Sequence, residues 1–211
     1  RFVSSPIRLG ELPLLASASY ARIFESPSDV QAARWDLRLT LPDQMYSVGD
    51  SRFVVGGGLR QFFYDTGQKQ RVWLARASWF QPIGDSMTAR VDYNLQGQHG
   101  ATPFLHDIHR SFNVITGGLE YYNSGTVRLG AYGGYDFLNK RPNDLIARMD
   151  INPGPEFGLS SGANFDPVDR HFRSMDNMLS VRLGDSVSVS HWSVYDFQQH
   201  KLTYQDVMLN F

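Results

Sequence analysis

The chain has 211 residues with 20 basic and 21 acidic side chains, a formal net charge of −1, so it lacks the electrostatic footprint that nucleic acid or a strongly acidic partner calls for. It contains no cysteine, which removes a disulfide framework, a thiolate metal site and a thiol nucleophile. No apolar stretch approaches the roughly eighteen residues of a membrane-crossing helix, and 13% aromatics with 19 glycines lean toward β-structure rich in turns.

The start at Arg1-Phe2-Val3, without a basic-then-apolar leader, has the pattern of a processed product or a piece of something longer. In Ala33–Leu41 every odd position is apolar and every even one polar, which puts Trp35, Leu37, Leu39 and Leu41 on one face of a strand. Pro42-Asp43 reads as the turn that follows, and Gly56-Gly57-Gly58 as a place where a strand bends. After Pro82–Asp85, a second turn, the alternation returns in Met87–Leu95. Gly97–Arg110 is longer than the other connections and reads as a solvated loop. Further strands are expected at Val127–Ala131, Leu145–Ile151 and Leu179–Leu183, and weaker ones at Val187–Ser190 and Thr203–Phe211. Turn formers separate them at Asn123-Ser124-Gly125, Asn139–Asn143, Asn152–Pro155, Asp166–Asp169, Gly184-Asp185 and Gln198–His200. No composition break marks a linker, so residues 1–211 form a single β domain or barrel segment of about a dozen strands, each near ten residues long.

An aromatic followed by Asp or Asn recurs at Tyr64-Asp65, Tyr93-Asn94, Tyr135-Asp136, Phe165-Asp166 and Tyr195-Asp196, at intervals of 29, 42, 30 and 30 residues. Two strands of about ten residues with two short turns repeat near thirty, so these pairs fall along one rim of an up-and-down antiparallel sheet. Strands of that length suit a tilted crossing of a bilayer. Tyr64, Tyr93, Tyr135, Phe165 and Tyr195 then become membrane-interface aromatics, and the Asp or Asn starts each turn. The alternate face carries Arg34, Arg38 and Arg76, together with Arg90, Asp92, Arg128, Arg148, Asp150 and Arg182. In a closed sheet the last six are lumen-facing charges.

Catalytic signals are scarce. His106-Asp107-Ile108-His109, with His99 nearby, is the densest set of metal-ligand types, but no helix brings the two flanking histidines to one side. No nucleophile motif accompanies the serines, and the Gly56–Gly58 run lacks the Gly-Lys-Ser/Thr of a phosphate loop. The reading is non-enzymatic, with no cofactor and no metal.

The chain ends in Val207, Leu209 and Phe211 at alternate positions, a partial match to the terminal aromatic strand of bacterial outer-membrane barrels. Tyr135-Asp136-Phe137 with Asn143–Asp150, and Trp192–Phe197 with Lys201–Tyr204, resemble hairpins of the LptD-like lipopolysaccharide-assembly barrels over about residues 60–211. The family's cysteines and N-terminal jelly roll are absent here, and its complete barrels have about twice as many strands, so the resemblance makes this chain part of a wall or a smaller relative. It implies an antiparallel transmembrane β-barrel, or a large segment of one, in the bacterial outer membrane, exporting and assembling envelope lipid. The partners it implies are outer-membrane lipid or lipopolysaccharide, a lipoprotein plug and periplasmic bridge proteins. A general diffusion porin is the alternative within this class, and needs an inward-folded constriction loop that only Gly97–Arg110 is long enough to provide. A soluble all-β binding or structural module is the alternative outside it.

Overall fold

The computed structural model describes residues 2–3, 6–26, 29–123, 125–184 and 186–211; of the turn formers named above, Ser124 and Asp185 lie outside the described residues. The chain is all-β. The strands run β1 Phe2–Val3, β2 Ile7–Leu9, β3 Leu12–Glu25, β4 Val30–Val48, β5 Ser51–Tyr64, β6 Lys69–Ile83, β7 Met87–Gly100 and β8 Phe112–Asn123. They continue as β9 Val127–Asp136, β10 Arg141–Pro142, β11 Leu145–Gly154, β12 Phe157–Asp166, β13 His171–Leu183, β14 Val187–Asp196 and β15 Lys201–Asn210. The only helical element among the described residues is a single 3-10 turn, Leu105–Asp107. The strands form one antiparallel sheet whose neighbours follow chain order from β3 to β15, with β1 and β2 on β3 and the short β10 on β9. Among the described residues no ladder joins the last strand back to the first, so hydrogen bonds do not close the sheet.

The chain divides into two compact units, residues 1–79 with 92–114 and residues 80–91 with 115–211. In the first, register fixes the faces. Tyr20, Trp35 and Phe63 stand side by side across β3, β4 and β5, as do Ala16, Leu39 and Leu59. This face is bare: Trp35 is 53% and Leu39 38% exposed. The opposite face carries Ser19, Asp36 and Phe62 in one row, and Ser17, Arg38 and Arg60 in another. The apolar cluster of this unit lies on the second face, where Ala32, Phe62, Tyr64, Val72 and Phe104 meet, with Ile23 and Val30 against them.

In the second unit the same parity rule puts Leu129, Ala147, Ala163 and Met175 on one face and Arg128, Arg148 and Asp150 on the other. At one end of this unit the turns are built alike. Asp136 accepts the amides of Leu138 and Asn139, Asp166 those of Val168 and Asp169, and Asp196 those of Gln198 and Gln199. Each turn then closes through a left-handed residue, Lys140, Arg170 or His200. The thirty-residue recurrence is thus a repeated turn in which a carboxylate caps the amides two and three residues on. Beside these turns the rings of Tyr135 and Phe137 meet at 5.1 Å, Phe165 and Phe172 at 5.3 Å, Phe172 and Phe197 at 5.7 Å, and Tyr195 and Phe197 at 5.0 Å.

Two expectations from the sequence fail. Tyr93-Asn94 lies inside β7 rather than in a turn, because β7 continues six residues further, to Gly100. Pro42-Asp43 does not end a strand either. β4 runs through it to Val48, and the ladder with β5 slips there, between Leu41 and Gln44, which is how a sheet accommodates a residue without an amide proton.

Two glycines show what the sheet asks of the chain. Gly84 has φ +61° with open space where a Cβ would point, whereas a Cβ on Gly97 would fall 2.2 Å from the Trp73 indole, which lies across that strand position. Gly84→Ala is expected to cost about 1 kcal/mol of conformational energy. Gly97→Ala, which displaces a packed ring, costs about 1–3 kcal/mol. Equilibrium denaturation of the two variants checks this ranking; equal losses would mean that Trp73 does not pack over Gly97.

Candidate functional site

The connection from β7 to β8 is the longest between the main strands, and it folds back onto the polar face of its own unit instead of standing in solvent. Gly100 turns the chain with φ +95°, and the Ala101 amide is tied to the Lys69 carbonyl at 2.9 Å. The Phe104 amide bonds to Thr102 Oγ1 at 3.1 Å, and the Phe104 side chain, 1% exposed, packs edge-on against Tyr64 with ring centroids 5.8 Å apart. Burying this ring in the apolar cluster anchors the loop.

Two carboxylates then hold it. Glu25, the last residue of β3, accepts the amides of Leu105 at 2.9 Å and His106 at 3.0 Å, and its Oε1 lies 2.6 Å from His106 Nδ1. Asp107, 5% exposed, receives both of its oxygens' contacts from Arg34 Nη1 at 2.5 Å and a further bond from the Tyr64 hydroxyl at 3.0 Å. Gln70 donates to the Asp107 carbonyl at 3.1 Å and to Gln98 Oε1 at 3.0 Å, and that same oxygen accepts the His109 amide at 3.2 Å. His109 Nδ1 is 2.7 Å from the Asp107 carbonyl, so this nitrogen carries the proton. Below the loop, Phe62 is fully buried between two guanidinium groups, Arg34 at 5.1 Å and Arg60 at 4.4 Å from its ring centre, and Arg60 pairs with Asp36 at 2.8 and 2.5 Å. Such charges leave water only because each has a partner. Two buried polar atoms of this site, Arg34 Nε and Gln70 Oε1, have no hydrogen-bond partner among the described residues.

The expectation of a solvated loop holds at Leu105, His106 and Ile108, which are exposed, and is corrected at Phe104 and Asp107, which are buried. The physical reason is the pairing of Phe104 with an apolar hole and of Asp107 with Arg34, neither of which local composition reveals. Among the described residues no group of three metal-ligand side chains converges, and His106 and His109 spend their Nδ1 atoms on Glu25 and a carbonyl.

The predicted charges fall as follows. Asp92 accepts a bond from Ser78 Oγ at 2.6 Å, and the Arg90 guanidinium stacks 5.1 Å from the Phe80 ring. Arg128 stands opposite Asp150 in register, and with Arg148, Gly130, Tyr132 and Ile146 they line one cavity. Arg128 also pairs with Glu120 at 3.0 Å, and Glu120 accepts hydroxyl bonds of 2.6 Å from both Tyr122 and Tyr132. Arg182 shares its face with Ser188 across β14 and lies apart from that cavity. Of the predicted aromatics, Tyr64 is built into the loop site, Tyr135, Phe165 and Tyr195 stand at strand ends beside the repeated turns, and Tyr93 is mid-strand. Glu25, Phe62, Gln70 and Phe104 were not singled out by the sequence.

A second arrangement lies in β12–β15. On the face that is apolar elsewhere in this unit, Ser161, Asn177, Ser193 and Gln205 stand in one row, with Ser161 Oγ bonded to Asn177 at 2.8 Å. On the other face Met178 is paired with Trp192, Trp192 and Tyr204 meet at 4.6 Å, and all three are exposed. The contrast between faces is thus blurred on the strands next to the unpaired edge of β15.

No protein-family model matches this chain, and no curated protein matches it.

Removing either anchor should free the loop. In Glu25→Ala the Leu105 and His106 amides lose their acceptor, and in Asp107→Ala the Arg34 guanidinium is left buried without its charge partner, at a cost of about 3–5 kcal/mol. Hydrogen exchange across residues 101–110 should rise at least tenfold in both variants while β11–β14 keep their protection. Unchanged exchange in the loop would contradict the latch.

Proposed function

We propose that this chain forms a wall of an outer-membrane β-barrel that takes part in exporting and assembling envelope lipid of the lipopolysaccharide type, and that it is not an enzyme. The observation that carries the membrane part is the bare apolar face. Soluble monomers rarely leave a contiguous apolar surface beyond a few hundred Å². Here Trp35, Leu37, Leu39 and Leu59 in one unit, and Leu129, Leu145 and Phe172 in the other, are all exposed. The strands of the second unit are mostly ten residues long. At about 3.3 Å per residue and a tilt near 45°, ten residues cover about 25 Å, the height of the apolar band of such barrels. The two ring clusters at these strand ends, Tyr135 with Phe137 and Phe165 with Phe172, Phe197 and Tyr195, suit the headgroup level, where aromatic side chains are favoured.

The lipid part is supported by β12–β15. An amphipathic molecule moving sideways through a wall needs polar footing toward the bilayer and apolar footing toward the lumen. The Ser161-to-Gln205 row and the Met178-Trp192-Tyr204 patch supply these beside an unpaired strand edge. The resemblance of the Tyr135 and Trp192 hairpins to LptD-like barrels agrees with this reading. Lipid or lipopolysaccharide would be the ligand, with a lipoprotein plug and periplasmic bridge proteins as partners. A diffusion porin is the second reading, favoured by the loop 101–111 folded onto the polar face.

A photoreactive benzoylphenylalanine at Trp192 separates the two. In cells that make lipopolysaccharide, lipid export predicts covalent capture of the glycolipid at that position, on the face turned away from the bilayer. A porin predicts no capture at Trp192, together with a steady ion conductance in planar bilayers that increases in Asp107→Ala. A chain that stays monodisperse without detergent, and does not shift on unheated gels, would remove both and leave the soluble module.

A further inference from the structure

The repeated turns of the second unit carry more than a cap. Lys140, Arg170 and His200 hold the left-handed position of three successive turns, at φ 52°, 55° and 50°, and the next residues are Arg141, His171 and Lys201. Two adjacent basic-type side chains thus recur every thirty residues at one end of β9–β15. Turn geometry does not ask for them. The left-handed conformation is strained for a side chain bearing a Cβ and easy for glycine, and the opposite end of the same unit uses glycine there, at Gly84, Gly125 and Gly184. That end has no basic residue in its described turns and carries Asp85 and Glu156.

The basic row is mostly unspent. Lys140, Arg141, Arg170 and Lys201 are exposed; Arg141 stands opposite Asp136 in register and shares its charge with that carboxylate, while Lys140, Arg170 and Lys201 enter no ion pair among the described residues. The turn carboxylates are occupied in contrast: Asp136, Asp166 and Asp196 bind backbone amides, and Asp166 also takes the Arg173 guanidinium. Arg173 is therefore excluded from the row. Beside the cations stand exposed apolar tips, Phe137, Leu138 and Val168. Successive hairpins lie two strand spacings apart, about 10 Å, so the basic pairs are spread one per hairpin instead of gathered into a pocket. This combination fits an array of separate phosphates over an apolar layer, and it does not fit a single small anion.

We propose that this rim binds phosphate-bearing headgroups of anionic membrane lipid, through Lys140, Arg141, Arg170 and Lys201, with Phe137, Leu138 and Val168 seated at the acyl boundary. The inference rests on the membrane-wall reading and adds a direction to it: the turns at 137–140, 167–170 and 197–200 face the leaflet richer in anionic phosphate, and the glycine turns face the other.

The chain has no native cysteine, so Leu138→Cys takes a single fluorophore at the rim. In the full chain folded into phosphatidylcholine bilayers, headgroup-spin-labelled phosphatidylglycerol should be enriched about fivefold over the matching phosphatidylcholine label, the factor expected for a basic residue near an anionic surface. Lys140→Gln, Arg141→Gln, Arg170→Gln and Lys201→Gln together should bring the ratio to about one. The charge-conserving set K140R, R141K, R170K and K201R should keep it. Inorganic phosphate should lower the ratio no more than sodium chloride of equal ionic strength. Quenching by both lipids at equal strength, unaltered in the glutamine set, overturns the headgroup site while leaving the membrane wall standing. Selective loss of enrichment with inorganic phosphate assigns the row to a free anion and overturns it as well. Quenching by neither lipid removes the wall on which it rests.

Discussion

A long antiparallel ladder leaves each side chain only one choice, its parity. Once β4 is registered between β3 and β5, Trp35 and Leu37 share one face and Arg34 and Asp36 the other, and a slip of one residue would exchange the two sets. The rest follows from that constraint. Several charged residues that the ladder turns to one side find partners there: Arg60 with Asp36, Arg34 with Asp107, Arg128 with Glu120. Apolar residues turned to the other side have no protein layer to cover them. Where the register shifts, between Leu41 and Gln44, Asn164 and Phe165, or Val194 and Tyr195, parity is reset locally without breaking the sheet.

The buried cluster of the first unit is small, and it is completed by a connection. Phe104 and Asp107 come from the loop, while Phe62, Tyr64, Gln70 and Arg34 come from strands. Loop and sheet end therefore stabilise each other through one apolar anchor and a few charge-assisted bonds. Glu25 on β3 and Asp107 in the loop are buried by this latch, as Asp36 is beneath it by its pairing with Arg60.

Much of the fold was legible because period-two alternation survives in any strand with one bare face, as in Ala33–Leu41. The thirty-residue recurrence of Tyr135, Phe165 and Tyr195 marked real strand ends, since the acid after each aromatic caps a turn. The sequence misled where one residue type serves two purposes. Pro42-Asp43 is a turn former that a bulge absorbs, and Tyr93-Asn94 has the signature of a strand end but sits in a strand long enough to pass through it. The loop site was the least legible part. Its contacts link Glu25 to His106 and Arg34 to Asp107 across more than seventy residues, and no local pattern encodes such pairings. In β14 and β15 the alternation was weak because both faces mix polar and apolar residues, a property of the wall there.

The central claim is that the bare face meets hydrocarbon and its neighbours meet water. Single nitroxide labels on successive cysteine variants from Val127 to Tyr135, in the protein folded into lipid vesicles, test it directly by comparing accessibility to oxygen with accessibility to a water-soluble paramagnetic reagent. The account predicts oxygen maxima at 127, 129 and 131 and water-reagent maxima at 128 and 130, out of phase along the strand. Accessibility that is uniform, or that shows the odd-numbered positions sealed from both reagents beneath a second protein layer, would contradict it.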